Sequence, residues 1–459
     1  MWTWATIYST LVLMFWRLRS MQIRCCPPLM GFNSLNMDSI RQTFLDGRTK
    51  GIPGTSEPFA LDKIADKNWN VLREDMPLPL MVLKRANLDY NADLFANYLS
   101  INDLSLAPHG KTTMSPQLFD EQIRCGAWGI TAATVNQIQV MRKYGIDRIV
   151  LANQLIGKSN VQTVVSEINA DPEFEFFCFV DSIGQIENIE RSLRGISQNR
   201  PIGVLVEVGA MGGRTGLRDR SQALAVISEI SKRPDRFKFC GVGAFEGAIP
   251  GLDKSATPVA IYANLILDIV RAIPQSAYHD LDEFILTGGG SSHFDIIAER
   301  FKSLDISIPV RVLLRSGCYL TNDHGAYRSA QENARLDPNR QWYSEFRPAL
   351  EVWSYVQSIP EPHLGFLTMG KRDVPFDAGL PVPFKRFRPG SGFMDVGECE
   401  IFNTNDQHAY VRLGADTSWQ VGDMICSGIS HPCTAFDKWR FIPIVTDDYD
   451  VIDGILTYF

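Results

Sequence analysis

Eight short apolar runs, each separated from the next by a stretch with helical periodicity, constrain this 459-residue chain more than any other feature. They lie at 104–107, 129–132, 148–151, 175–180, 203–208, 239–242, 284–287 and 311–314. Between them, segments such as 181–193 and 221–230 repeat apolar residues at helical spacing. Runs that are apolar throughout, rather than alternating, are what a parallel sheet covered by helices requires. Eight of them with helical crossovers predict a parallel (β/α)8 barrel of α/β class, with its chemistry at the C-terminal strand ends. Beyond about residue 330 the texture changes to tryptophan, proline, glycine and short β runs (349–356, 365–367, 408–413, 440–445), which predicts a separate all-β domain. The expected organisation is a leader or mis-assigned start over 1–36, an N-terminal arm over 37–78, the barrel over 79–330 and the β domain over 331–459. Within this frame, 79–83 is strand-like, and an amphipathic helix is expected from Leu88 with Asn87 as its cap.

Composition narrows the function classes. Hydrophobic residues at 45% and charged residues at 21% are ordinary for a globular protein, so a packed core is expected. A net charge of −7 argues against binding nucleic acid through bulk charge. The nine cysteines are scattered, and the one adjacent pair is Cys25-Cys26. That pattern fits a reducing, cytoplasmic setting in which a lone thiol is buried filler or a metal ligand. No long internal apolar run suggests a membrane partner. The first roughly 16 residues resemble a short signal-anchor, yet lack a basic n-region and a small-residue cleavage site. The alternative is an upstream start codon, with the working chain beginning near Met37, and the cysteine pattern favours it.

Four motifs carry chemistry. Pro108-His109-Gly110-Lys111-Thr112 ends an early strand, where a dry lysine amine can form an imine with an aldehyde cofactor. Gly110-Lys111-Thr112 is no phosphate-binding Walker loop, because Ser105 stands where the first glycine is required. The second group is Gly288-Gly289-Gly290-Ser291 together with Arg315-Ser316-Gly317-Cys318, each following a late strand. Glycines there let backbone N–H groups approach a phosphate, and the loops after strands seven and eight are the usual phosphate seat of a barrel. By contrast, Gly241 to Gly247 only mimics a dinucleotide fingerprint, with its spacing one residue too long. In the third, Arg214 within Gly212-Gly213-Arg214-Thr215-Gly216, or Arg315, offers a guanidinium to a cofactor ring, to a substrate carboxylate or to a surface acid. The fourth is His431-Pro432-Cys433: on an extended backbone the imidazole and thiolate share a face, and that donor pair suits zinc with positions left open.

From about Trp69 to Phe459 the chain resembles the D-serine dehydratase-like, or amino acid deaminase, branch of the alanine-racemase-fold pyridoxal-phosphate enzymes. The residues that carry this are PHGKTTM (108–114), GAWGIT (126–131), LANQL (151–155), GGRTG (212–216), GCYLT (317–321), GKRD (370–373), DAGLPVP (377–383), ISHPC (429–433) and FDKWR (436–440). The resemblance implies a pyridoxal 5'-phosphate barrel with an alanine-racemase-like C-terminal β domain, acting as a homodimer. It implies that Lys111 forms the imine with the cofactor, and that His431 and Cys433 hold a catalytic zinc. The loops with Gly289, Gly290, Ser291, Gly317 and Cys318 would hold the phosphate, with Arg214 near the ring. Ala107 and Cys433 depart from the related D-threonine aldolases, which carry Arg and Asp at those places.

The activity implied is conversion of D-serine, or a similar D-3-hydroxy amino acid, to a 2-keto acid and ammonia. Lys111, His431 and Cys433 are the expected catalytic residues. Rival readings are a D-threonine aldolase, an amino acid racemase in which the metal pair would have no task, and a non-catalytic pyridoxal-phosphate homeostasis protein. Such homeostasis proteins resemble a lone barrel, which the long C-terminal segment opposes.

Overall fold

In the computed structural model of the chain, residues 35–250, 257–337 and 340–459 are described. Apart from Leu35 and Asn36, the leader or start-codon expectation for 1–36 lies outside the described residues, as does the Cys25-Cys26 pair.

All eight apolar runs form strands: β1 (Ser105–Leu106), β2 (Ile130–Ala132), β3 (Arg148–Gln154), β4 (Glu175–Val180), β5 (Ile202–Val208), β6 (Phe237–Ala244), β7 (Phe284–Gly288) and β8 (Val310–Leu314). They pair in parallel in the order β1-β8-β7-β6-β5-β4-β3-β2. The ring closes between β1 and β2, where Trp128 N–H donates to Leu106 O (2.7 Å) and Thr131 N–H to Pro108 O (2.9 Å), with a parallel bridge at His109 and Thr131. Alternate side chains fill the inside with Ala107, Val150, Phe179, Leu205, Cys240, Ile285 and Leu313. Their neighbours on the strands face the surrounding helices, so both faces are dry and the sequence reads as unbroken apolar runs.

The helices start where sequence chemistry permits. Thr134, Ser182 and Asp219 accept from the amides of Gln137, Gln185 and Gln222, three residues on. Each glutamine oxygen in turn accepts from the amide just before its cap, at Ala133, Asp181 and Arg218. This repeated box satisfies two orphan donors per helix, and each cap contributes about 1 kcal/mol.

The second body is antiparallel but for one strand pair. Its longest strand, Leu350–Glu361, pairs with Met424–Gly428 and Leu364–Leu367. Leu80–Lys84 joins this sheet rather than the barrel, antiparallel to Leu350–Glu361 and parallel to Phe441–Val445. The chain therefore visits the β body before it builds the barrel, and the strand-like run inside 79–330 belongs to the other sheet. The following helix also begins earlier than expected, at Arg85. Asn87 does not cap it, because its amide donates to Pro348 O (2.7 Å).

One irregularity shapes the barrel interior. The register between β5 and β6 slips between Val204 and Leu205, so Cys240 is the extra residue and Gly241 pairs with Leu205. Gly241 has φ +148°, and a Cβ there would overlap the carbonyl oxygen of Ile285 on β7. Gly241→Ala is expected to cost roughly 2–4 kcal/mol, seen as a lower urea midpoint at unchanged slope. An unchanged midpoint would show that the bulge is not there.

Candidate active site

Lys111 stands on the turn Gly110–Thr112 beyond β1. It is half-buried and faces a pocket shared with His109, Phe179, Arg214, Phe245, Gly290 and Arg315. Of the residues read from sequence as cofactor contacts, Lys111, Arg214 and Gly290 line this pocket at the C-terminal barrel mouth, whereas Gly289, Ser291, Gly317 and Cys318 do not. His109 has a buried Nδ1 with no protein partner. Burial, helped by the positive Lys111 and Arg315, pushes its pKa well down, so the ring is neutral.

The two arginines are not equivalent. Arg315 is 5% exposed; one amino group donates to Thr287 Oγ1 (2.6 Å) and the other to Ala244 O (2.6 Å). Its guanidinium lies 5.2 Å from the Phe179 ring centre. Burial lowers its pKa, and Glu246 and Glu207 oppose that. Arg214 is exposed on the rim, with its guanidinium 5.0 Å from the Phe245 ring centre. The floor position belongs to Arg315, which sequence reasoning weighed but could not separate from Arg214.

The glycine loops are already occupied by a carboxylate that the sequence did not reveal. Gly289 N–H donates to Glu246 Oε2 (3.1 Å) and Gly290 N–H to Glu246 Oε1 (2.5 Å). Glu246 is buried, and burial raises its pKa. Cys318 N–H donates to Ser291 Oγ (3.1 Å), while Ser316 Oγ donates to Gly289 O (3.2 Å). The two loops are stitched to each other, and the amides of Gly289, Gly290 and Cys318, expected to face a phosphate, bond within the protein. Glu246 lies in the 241–247 stretch, whose glycine spacing carries no signal of a buried carboxylate.

His431 and Cys433 do converge, though not by strand alternation. His431 is extended (φ −159°, ψ 113°), and Pro432–Thr434 then forms a 3-10 turn that carries the thiol round. His431 Nδ1 lies 2.7 Å from Asp377 Oδ2, and Thr434 Oγ1 donates to Asp377 Oδ1 (2.6 Å). Cys433 interacts with the same imidazole. Cys433 first, and Asp377 after it, push His431 up to about 9. Cys433 is held well below the usual thiol range, first by its hydrogen bond with Cys318 and then by His431 and Thr112. A carboxylate orienting an imidazole that stands beside a soft donor is the usual support of a bound transition metal. Among the described residues, no three His, Cys, Asp or Glu side chains gather as a metal shell. Asp377 opens the 377–383 motif, but a lone Asp 54 residues before a histidine carries no spacing signal.

One contact joins the two halves of the site. Thr112, next to Lys111, has its hydroxyl 3.3 Å from Cys433 Sγ. The barrel's lysine turn and the β body's histidine–cysteine turn therefore pack directly against each other.

The fold defines the class. The chain superposes on a D-threonine aldolase of Filomicrobium marinum with a TM-score of 0.67 and 21% identity, covering 83% of this chain and 95% of that one. It superposes on the D-threo-3-hydroxyaspartate dehydratase of Delftia sp. HT23 with a TM-score of 0.65 and 17% identity, covering 85% and 99%. Alanine racemases share the architecture, so the fold is alanine-racemase-like. More particularly, residues 349–445 match the family described as "Putative serine dehydratase domain". A D-threonine aldolase of Arthrobacter sp is 23% identical over 350 residues, covering 73% of this chain and 80% of its own. The resemblance seen in the sequence motifs is thus borne out at the level of the group.

Two measurements check the His431 arrangement. In the metal-free protein its imidazole should titrate near pH 9 by NMR, and Cys433→Ser should return it toward 6.5. Because the folded pKa is raised, stabilisation from the protonated ring is complete below about 6.5, fades as pH rises and is gone above about 9. Asp377→Asn should weaken metal binding about 10–100-fold; unchanged affinity would remove the orienting role.

Proposed function

We propose that this chain is a pyridoxal-phosphate- and zinc-dependent lyase that converts D-serine, or a similar D-3-hydroxy amino acid, to a 2-keto acid and ammonia. The observation that supports it most is the Thr112–Cys433 contact, which packs the turn carrying Lys111 against the turn carrying His431 and Cys433. The donor set fits both groups. A half-buried lysine beside a buried arginine and an unpartnered neutral His109 suits an aldehyde-bearing anionic ring compound. With the amides of Gly289 and Gly290 committed to Glu246, Ser291 and Gly317 are the groups left to hold its phosphate. His431 and Cys433 would hold the metal, with Asp377 fixing the imidazole.

When bound, the cofactor supplies an electron sink at Cα and the metal a Lewis acid at the β-hydroxyl. The remaining work falls to the chain. Lys111 Nζ is the base for the Cα proton. Arg315, pinned by Thr287 and Ala244, is the partner for the ring nitrogen, and a guanidinium does not surrender its proton to it. A ring left unprotonated would be a weak electron sink, so the metal that His431 and Cys433 would hold would supply the help needed at the departing oxygen. Phe179 and Phe245 keep this chamber apolar on two sides.

Retro-aldol cleavage is the second reading, since relatives named as aldolases match the chain. Products from D-threonine separate the two: 2-oxobutanoate marks the dehydratase and glycine the aldolase. Pyruvate should form from D-serine and stop with a chelator. Cys433→Ala should lower kcat by about 1,000-fold, the worth of several kcal/mol of Lewis-acid assistance, while the imine absorbance persists. Lys111→Ala should lose that absorbance. If Cys433→Ala loses it too, the pair is structural and the proposal fails.

A further inference from the structure

Cys318 and Cys433 hold their sulfurs 3.4 Å apart although 115 residues separate them, and both are free thiols. The approach is built from both sides. Cys318 follows β8, with its amide on Ser291 Oγ and its carbonyl accepting from Asn322 N–H (2.7 Å). Gly317, just before it, sits so near the lysine turn that a Cβ there would lie 2.5 Å from Thr112 Oγ1. The Thr112 hydroxyl then touches both sulfurs, at 3.3 Å for Cys433 and 3.8 Å for Cys318. Cys433 is partly exposed, whereas Cys318 is buried. Cys178, Cys240 and Cys426, in contrast, are sealed inside strands.

We propose that this pair is a reversible oxidation site: in the metal-free protein a hydroperoxide converts Cys318 and Cys433 to a disulfide that removes Cys433 from the metal seat. That consequence rests on the ligand role proposed above; the disulfide itself does not. The Cys433 sulfur attacks the peroxide, forming an S–O bond as the O–O bond breaks, and the leaving oxygen departs as water or alcohol with a proton. The Cys318 sulfur then attacks the resulting sulfenic acid, forming the S–S bond as the S–O bond breaks, and hydroxide leaves with the Cys318 proton as water. Two thiols lose two electrons in all, and the hydroperoxide gains them. The sulfurs must close by about 1.4 Å to reach disulfide bond length, a movement within reach of side-chain rotation. A bound metal would hold the Cys433 electron pair and block the first attack.

The test uses the full chain, stripped with a chelator and exposed to hydrogen peroxide. A non-reduced digest should contain a peptide cross-linked between Cys318 and Cys433, free thiols should fall by two, and dithiothreitol should restore both. Zinc reloading should slow the cross-link at least tenfold. Cys318→Ser should give no cross-link and leave Cys433 as a sulfinic acid that dithiothreitol does not reverse. If the metal-free wild type keeps both thiols, or cross-links Cys433 elsewhere, the proposal is overturned whether or not the variant folds. A cross-link that forms equally fast with zinc present upholds the oxidation site and removes Cys433 from the metal-ligand role.

Discussion

The contact between the turn Gly110–Thr112 and the turn Pro432–Thr434 is the constraint on which the whole site depends. Each turn alone is ordinary: one ends a barrel strand, the other links two segments of an antiparallel sheet. Together they set a cofactor-type lysine against a metal-type donor pair. Their relative position is over-determined by backbone bonds. His324 N–H donates to Ile429 O (2.9 Å), Ala326 N–H to Ser430 O (3.3 Å) and Tyr458 N–H to Met114 O (2.9 Å). Gly428 adds to this, because a Cβ there would overlap the His324 ring. With Leu80–Lys84 also woven into the β sheet before the barrel begins, neither body can shift by an ångström without breaking hydrogen bonds in the other. That rigidity is what positioning two reactive groups on one substrate demands.

The chamber floor is polar where the barrel interior below it is not. Arg315, Glu207 and Glu246 are all buried, and taking each charge out of water costs several kcal/mol. The structure meets these costs with fixed dipoles. Arg315 has a hydroxyl and a carbonyl, Glu246 has two glycine amides, and Glu207 has Gln154 Nε2 (2.5 Å) and Thr215 Oγ1 (3.1 Å). Burial raises both carboxylates and lowers the arginine, while each acid opposes the shift of the base. An apolar layer of the same volume, like the Val150, Leu205 and Leu313 layer, would be more stable. A polar set kept at such expense marks a place selected for chemistry rather than for stability.

How much of this was legible in the sequence follows from the reach of each interaction. The eight strands were readable because a strand buried on both faces is apolar at every position, a property local to five or six residues. Lys111, His431 and Cys433 were readable because their motifs are compact. Asp377 and Glu246 were not, since each acts across dozens of residues on a backbone amide or a ring nitrogen, and a single carboxylate has no local signature. The Arg214 and Arg315 ambiguity had the same origin. Both follow strands and both lie among glycines, and only the packing shows that one is sealed under Phe179 while the other lies at the rim.

The misreadings share a cause as well. Asn87 looked like a helix cap because Asn is a good one, yet its amide serves Pro348, 261 residues away. The 79–83 run looked like the opening of the barrel because it is apolar on both faces. A central strand in an antiparallel sheet, covered on both sides, gives the same pattern. Local sequence specifies the type of an element, whereas its partner is specified by shape and hydrogen-bond demand elsewhere. In this chain the functional chamber lies where two such non-local choices meet. Its lysine belongs to the barrel and its metal-type pair to the sheet, and the turns that carry them approach closely enough for Thr112 to touch both cysteines at once.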